Sequence, residues 1–447
     1  MFKTHIVQKG MTLPIMGSPS DLVGTMESTT TFAITPDSYL GLVPKLAVKE
    51  GDKVLAGDSI LFHKKDDRIR ITSPVSGVVT SIVRGAKRRL EHVLIEKDAV
   101  QAYASFPKGH PANRDEAIER LTASGLWTLL EMRPYGIVAN PNDQPKAVFI
   151  NAMATAPFAP EASITLKGRE MDFQLGIKAL SLLSSKTVLS ISEDESSTVL
   201  VGAEDVEIHR FQGQHPAGNT SVHIAHISPL NKGEVVWAID AQDVAILGQF
   251  FRLGEVRLER VITMAGTGFI DPSYVKAMPC MQLTSAMDEA LRVDRSYRVI
   301  SGSVLTGQAV GKDGFLSYNA NQITAIPEGE GTEFFGWVLP NISKFSKNRT
   351  FLSWMFPHRK YDLSTKMNGE DRNFVMTGEY GRVFPFDILP NQLLKAMWAN
   401  DLESMEALGA YEVVEEDFAL CEVICTSKQP LQSLVRSALD MLHAEMN

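Results

Sequence analysis

The chain has 447 residues, too many for a single hydrophobic core, so three or four domains are expected. Its 44 basic and 53 acidic residues give a formal net charge of −9, which argues against a general nucleic-acid binder. Three cysteines are too few for a disulfide framework and fit a reducing compartment; no apolar run approaches the roughly 20 residues that cross a bilayer.

The opening MFKTHIVQKGMTLPIMG lacks the continuous apolar stretch of a signal peptide. Residues 1–100 read as β-rich. LAVKEGDKVLAGDSILF (Leu46 to Phe62) and RIRITSPVSGVVTSIV (Arg68 to Val83) alternate short apolar strands with Gly-Asp and Ser-Gly turns. These paired hairpins resemble the barrel-sandwich hybrid fold of biotinyl and lipoyl carrier domains.

From residue 101 to 255 the pattern alternates helix and strand, which predicts a Rossmann-like domain with a mostly parallel sheet. Asn113 followed by Glu116 marks a helix start, with Ile118, Leu121 and Leu126 directed inward. Strands are expected at Ala147–Ile150, Thr187–Ile191, Val206–Phe211 and Val235–Asp240. Helices are expected near Arg169–Leu183 and Ala241–Leu253, the latter closed by Gly254. HIAH (His223 to His226) reads as strand.

Residues 256–330 return to strands, in VITMAG, SYVKAMPCMQLT and YRVISGSVLTG, and fit a small ubiquitin-like β-grasp module of the SLBB type. Residues 331–447 form a C-terminal aromatic-rich and helical domain. Its helices are expected at Asn391–Leu408 and at Leu431–His443, where Leu431, Leu434, Val435, Ala438, Leu439 and Leu442 keep helical spacing. The whole is a multidomain α/β protein.

The most informative stretch is SGLWTLLEMRPYG (Ser124 to Gly136). It lies between a helix and a strand, where an α/β domain places its phosphate loop. Such a loop needs glycines, because only backbone without Cβ atoms approaches a phosphate closely. Here Leu126, Trp127, Leu129, Leu130, Met132 and Arg133 stand between Gly125 and Gly136. These side chains are expected to fill the space a nucleotide needs, with Trp127, Leu130 and Met132 packing as core.

RGAKRRL (Arg84 to Leu90), SGLWTLL, the HPAG of FQGQHPAG (Phe211 to Gly218), RVISGSVLTG, FFGWVLP (Phe334 to Pro340) and EEDFALCEVIC (Glu415 to Cys425) occur in order from end to end. Together they resemble the NqrA family, the A subunits of the bacterial Na+-translocating NADH:quinone reductase. That family is in turn distantly similar to the flavin subunit of respiratory complex I and to the C subunit of the Rnf complex. The resemblance implies a peripheral subunit, without a transmembrane segment, at the cytoplasmic face of the bacterial inner membrane. Its complex oxidises NADH, reduces ubiquinone and exports Na+. The partners implied are the B to F subunits, above all the membrane-embedded B subunit, with ubiquinone as a further ligand. FAD, FMN, riboflavin and an iron–sulfur centre are implied to sit on those other subunits, and this chain is expected to be cofactor-free, with no catalytic residue and no metal of its own.

Measured against the related flavin subunits, this chain lacks two features. Their glycine-rich run ending in Gly-Phe-Pro is replaced by LWTLLEMRPYG, and the acidic run after their next strand by AMATAPFAP, with no acid until Glu161. The resemblance implies a degenerate flavin site, with Trp127, Arg133, His215 and Gly218 around any residual pocket; HPAG matches a turn near the relatives' nucleotide. Relatives hold an iron–sulfur cluster in the C-terminal region with four cysteines; Cys421 and Cys425 remain here, with Cys280 far away. The alternative is a self-sufficient flavin or iron–sulfur electron-transfer subunit.

Other candidates compete with plain structural roles. Asp66 or Asp67 stands near the carrier-lysine position, beside Lys64 and Lys65, without methionine flanks, so a solvated turn is the better reading of HKKDD. His209, His215, His223 and His226 could ligate zinc, but a strand would send His223 and His226 to opposite faces. The basic residues Arg84, Lys87, Arg88 and Arg89 suit either an acidic partner or anionic lipid, or a solvated turn. Phe334, Phe335, Trp337, Phe345, Phe351, Trp354 and Phe356 could line a quinone cleft, pack as core or meet a membrane-embedded partner.

Overall fold

A computed structural model describes residues 3–26, 29–329, 331, 342–347 and 349–446. The barrel-sandwich consists of two sheets. Thr31–Ile34, Leu90–Lys97, Gly77–Arg84 and Lys53–Val54 form one, and Pro44–Leu46, Ser59–His63 and Arg70–Thr72 form the other. Buried Ile60, Leu61, Ile71, Val79, Val93 and Ile95 come from these strands and make their shared core.

Within the expected 1–100 unit, the strands Lys3–Val7 and Ser20–Thr25 pair with sheets outside this sandwich. Strand β1 (Lys3–Val7) pairs in parallel with a strand of the α/β domain. The strand Ser20–Thr25 pairs in parallel with Ser273–Ala277 and completes a six-stranded β-grasp sheet, whose other members include Arg260–Ala265, Tyr297–Ser301 and Gln322–Pro327.

The central sheet has seven strands. After β1 these are β2 (Glu131–Arg133), β3 (Ile137–Val138), β4 (Val148–Asn151), β5 (Thr187–Ser192), β6 (Glu207–Gly213) and β7 (Val236–Asp240), in spatial order β1-β6-β5-β4-β7-β2-β3. β1, β6, β5, β4 and β7 are parallel; β2 and β3 form an antiparallel ribbon on the edge beyond β7. The chain steps outward from β4 through β5 to β6, then returns to place β7 on the other side of β4. The strand order reverses there, and the reversal leaves a crevice at the carboxyl ends of β4 and β7.

The longer helices of this domain are α1 (Arg114–Ala123), α2 (Glu170–Ser181), α3 (Thr220–Ile227) and α4 (Ala241–Leu253), of which α2, α3 and α4 pack on the sheet. Asn113 caps α1, its side chain accepting the Glu116 amide at 2.9 Å. α2 and α4 touch backbone to backbone: a Cβ on Gly176 would overlap Val244, and one on Gly248 would overlap Asp172. The expected end of α4 holds, with Gly254 left-handed at φ 66°.

Three expectations give way. HIAH belongs to helix α3, because the strand already ends at Gly213 and the turn after it, closing at Asn219, starts a helix that packs on the sheet. His223 and His226 therefore lie one turn apart instead of on opposite faces. The helix expected over Asn391–Leu408 is two, Pro390–Ala399 and Leu402–Ala407. Asn400 takes the left-handed conformation at φ 53°, and the Asp401 side chain accepts the Ser404 amide at 3.1 Å to restart the helix. Ser124 to Gly136 is the third: instead of a loop over the sheet end it supplies a 3₁₀ turn (Leu126–Leu129) and the inner strand β2 of the edge ribbon. The Leu431 helix forms as expected and runs past His443 to Met446. Phe334, Phe335 and Trp337 lie outside the described residues.

Candidate functional site: the crevice at the sheet's switch point

A cleft of about 700 Å³ opens where β4 and β7 end, at Asn151 and Asp240. All the domains contribute walls. Asp37, Glu91 and His92 come from the barrel-sandwich, Ser301 to Gln322 from the β-grasp module, and Glu416 from the C-terminal part. Leu126, Trp127, Leu129, Leu130, Met132 and Arg133 do not line it. The expected filling of the crevice by these side chains is therefore corrected. Trp127, Leu130 and Met132 are buried, as a core reading requires, but beneath the edge ribbon. The Trp127 indole donates to the Ala139 carbonyl at 2.7 Å and meets Trp237 edge-on at 5.1 Å. Gly125 (φ 76°) lies so close to Thr72 that a Cβ would clash.

The crevice floor is built from hydrogen bonds the chain makes with itself. Asn151 Nδ2 donates to the Gly218 carbonyl (2.8 Å) and to Thr220 Oγ1 (3.1 Å), while its Oδ1 accepts the Met153 amide (3.0 Å). Thr155 Oγ1 accepts the Gly218 amide at 2.9 Å. This amide stands at the start of α3, where a phosphate would be received, and it is already bonded. A Cβ on Gly218 would overlap Thr155 and the Met153 carbonyl, so the glycine serves close packing of the AMATAPFAP segment. Asn219, next in line, is tied through its side chain to Asp417 at 3.1 Å.

The lining is acidic. Asp37, Glu91, Asp240 and Glu416 face the cleft, and no lysine or arginine is among the described residues that line it. Asp240 caps α4 through the Gln242 amide (2.8 Å). Burial, with Asp243 nearby, pushes its carboxyl up to about 7. Burial likewise raises Glu416 to about 7, against the pull of Arg133. An incoming phosphate would find acids and occupied amides, the reverse of what an anion site supplies.

The four residues expected around a residual pocket separate. Gly218 lines the cleft. His215 stands behind it, its Nδ1 3.2 Å from Thr155 Oγ1; burial lowers its pKa to about 4. Arg133 is buried and ion-paired to Glu131 (2.6 Å) and to Glu416 (3.1 Å), with a short bond to Ser221. It reaches the cleft only through Glu416. Trp127 belongs to the ribbon core. Asn151, Thr155, Asp240 and Glu416 were not singled out from the sequence. Asn151 and Asp240 carried a usable signal, as the last residues of two parallel strands; Glu416 carried none.

The remaining candidates fall elsewhere. His209 shares a hydrogen bond with His5 (2.9 Å) and bonds Glu207 (2.7 Å), tying β1 to β6. Burial drives His223 down to about 3, and its Nε2 bonds the Ala217 carbonyl. Among the described residues no group of three or more histidine, cysteine, aspartate or glutamate side chains is arranged to hold a metal ion. Cys421 and Cys425 are buried; Cys421 lies in a short helix (Ala419–Ile424) and Cys425 ends it, accepting from the Tyr380 hydroxyl at 2.9 Å. Burial pushes the Cys421 thiol up and that of Cys280 to about 12, so neither is poised as a thiolate ligand. Asp66 sits in an exposed hairpin turn held by Arg68 (2.5 Å), and Arg89 pairs with Asp37 (2.7 Å). Phe345, Trp354 and Phe356 line a separate recess of about 200 Å³ beside Met11 and Tyr361.

Comparison with known proteins agrees with this architecture. The pattern described as NqrA N-terminal barrel-sandwich hybrid domain matches residues 6–98, that of the NqrA second alpha/beta domain residues 112–256, and the NQRA C-terminal (SLBB) domain residues 261–312. The A subunits of the Na(+)-translocating NADH-quinone reductase from Vibrio atlanticus and Haemophilus influenzae are each 36% identical over 446 residues, covering 98% of this chain and 99% of theirs. The chain belongs to the NqrA family. The Neisseria gonorrhoeae member is 35% identical over 444 residues, with the same coverage. Among solved structures, an NAD+-reducing [NiFe]-hydrogenase in the air-oxidised state aligns over 76% of this chain and 67% of its own, at 11% identity and TM-score 0.35. The matched NqrA patterns overlap the three β-containing domains seen here, although the strands Ser20–Thr25 and Gln322–Pro327 of the β-grasp sheet lie outside residues 261–312. No helix among the described residues is long and apolar enough to cross a membrane.

Proposed function

We propose that the chain is the peripheral A subunit of a Na+-translocating NADH:ubiquinone reductase, bound at the cytoplasmic face of a bacterial inner membrane by the B to F subunits and chiefly by the membrane-embedded B subunit. It acts as a scaffold that carries no flavin, no NADH and no iron–sulfur centre; those groups belong to its partners. The observation that carries this reading is the switch-point cleft. Its size suits a small molecule, yet its phosphate-receiving amide is satisfied by Thr155 and its lining is acidic. Between a phosphate-bearing nucleotide and the uncharged ring of a quinone, amide and hydroxyl side chains such as Asn151, Ser301 and Gln322 favour the ring.

The test is the visible absorption, iron content and intact mass of the purified chain, followed by titration with FMN and NADH. A colourless, iron-free protein of 49.2 kDa that binds neither nucleotide is expected. Stoichiometric flavin would replace this reading with the electron-carrier alternative, and added mass with the lipoate- or biotin-carrier one.

A further inference from the structure

Between Asn341 and Tyr361 the chain reads NISKFSKNRTFLSWMFPHRKY, with five lysines and arginines and no acidic residue, although the chain as a whole carries −9. Within it the side chains divide between two sides. Phe351 and Ser353 turn inward and are buried. The Ser353 hydroxyl donates to the Ser346 carbonyl (3.2 Å), and the Phe351 amide donates to Ser346 Oγ (2.9 Å). The end of the segment is clamped by the Tyr361 amide on the Pro14 carbonyl (2.6 Å) and the Met16 amide on the Tyr361 carbonyl (2.9 Å). These bonds fix which side chains face out. Leu352 (36% exposed), Trp354 (52%), Met355 (55%) and Phe356 (44%) stand together in solvent, with Ile342 (51%) on the same segment. A protein surface that leaves so many large apolar groups adjacent and uncovered marks a contact site.

The cations stand among these rings. The Arg349 guanidinium lies over Trp354 at 5.5 Å and the Lys344 ammonium over Phe351 at 5.6 Å. Lys347, Arg359 and Lys360 are exposed alongside. Aromatic tips with interleaved Lys and Arg suit the boundary of an anionic bilayer, where rings sit at headgroup depth and cations pair with lipid phosphates. A protein partner would fit less well, since lysine is depleted at buried protein interfaces and three of the five cations are lysine.

We propose that the turn Leu352–Phe356 and its flanking cations form a lipid-contacting surface that seats this subunit on an anionic membrane. The proposal rests on the peripheral-subunit reading and specifies which face meets the bilayer.

The three native cysteines are buried, so Met355→Cys places an environment-sensitive dye at one position of the full chain. Dye emission is expected to rise and shift to the blue with vesicles containing phosphatidylglycerol, and to stay unchanged with pure phosphatidylcholine. Reversal of Lys347, Arg349, Arg359 and Lys360 to Glu is expected to lower partition onto the anionic vesicles at least about tenfold, as juxtamembrane charges do. Trp354→Ser with Phe356→Ser should do the same at unchanged thermal stability, since both rings are exposed. No response to anionic vesicles overturns the proposal. So does a response that appears only when the membrane-embedded partners are added in detergent, which would assign the surface to protein. Co-purification with those partners tests the underlying reading separately: an assembled complex whose dye ignores lipid removes this surface alone.

Discussion

Two regions of the α/β domain stand where a nucleotide phosphate could be received, and each presents it with a different obstacle. The ribbon from Gly125 to Gly136 is apolar and buried, a sheet edge sealed by Trp127 against Trp237. The crevice between Asn151, Gly218 and Asp240 is open and polar. Bulk accounts for the first and has no part in the second. In the crevice, incompatibility with phosphate comes from charge and from amides that the chain already occupies. Volume alone does not set a pocket's ligand class, because electrostatics and hydrogen-bond supply decide what a cavity of given size accepts.

Substitutions separate the two regions. Arg133→Met leaves buried Asp417 beside half-buried Glu416 without their cation, so a loss of about 3–5 kcal/mol is expected in urea unfolding. Trp127→Ala should cost a similar 3–5 kcal/mol or so through the cavity and the orphaned Ala139 carbonyl, while leaving ligand behaviour of the crevice unchanged. A variant of Trp127 that gains flavin binding would break the distinction.

The acidic lining predicts a pH signature. Asp240 is raised in the folded state, so the folded protein binds a proton that the unfolded chain releases between about pH 4 and pH 7. Its contribution is full below the unfolded value and is lost as pH rises through about 7. The stability of the wild type relative to Asp240→Asn should therefore fall as pH rises across that window, by at most about 1.4 kcal/mol per unit. Comparing the two proteins cancels the opposing titration of buried His215 and His223, which both share. A pH-independent difference would place Asp240 in an ordinary solvated environment.

The smallest effect is the most specific. Thr155→Ala frees the Gly218 amide at a cost of about 1 kcal/mol. Combined with Asp240→Asn and Glu416→Gln, it should bring inorganic phosphate binding into the millimolar range by calorimetry, from none in the wild type. Continued absence of binding in the triple variant would shift the explanation from charge to shape.

Much of the α/β domain was legible because its elements are local. The helix Ala241–Leu253 and its glycine stop follow from periodicity and one left-handed residue. HIAH was misread because four residues of mixed polarity fit either period, and a tertiary turn at Gly218–Asn219 decided between them. The break at Asn400 was readable in principle, from a left-handed asparagine followed by a capping aspartate. The crevice was not. Its walls come from stretches as far apart as Asp37 and Glu416, and no local pattern reports such a meeting.

The placement of residues 3–25 has a consequence for how the molecule is made. Lys3–Val7 finds its partner only at His209–Gly213, and Val23–Thr25 only at Tyr274–Lys276. During synthesis Lys3–Val7 must wait, unpaired, until Gly213 has left the ribosome, and Val23–Thr25 until Lys276 has. Clipping those residues would bare one flank of two different sheets at once and invite edge-to-edge clumping.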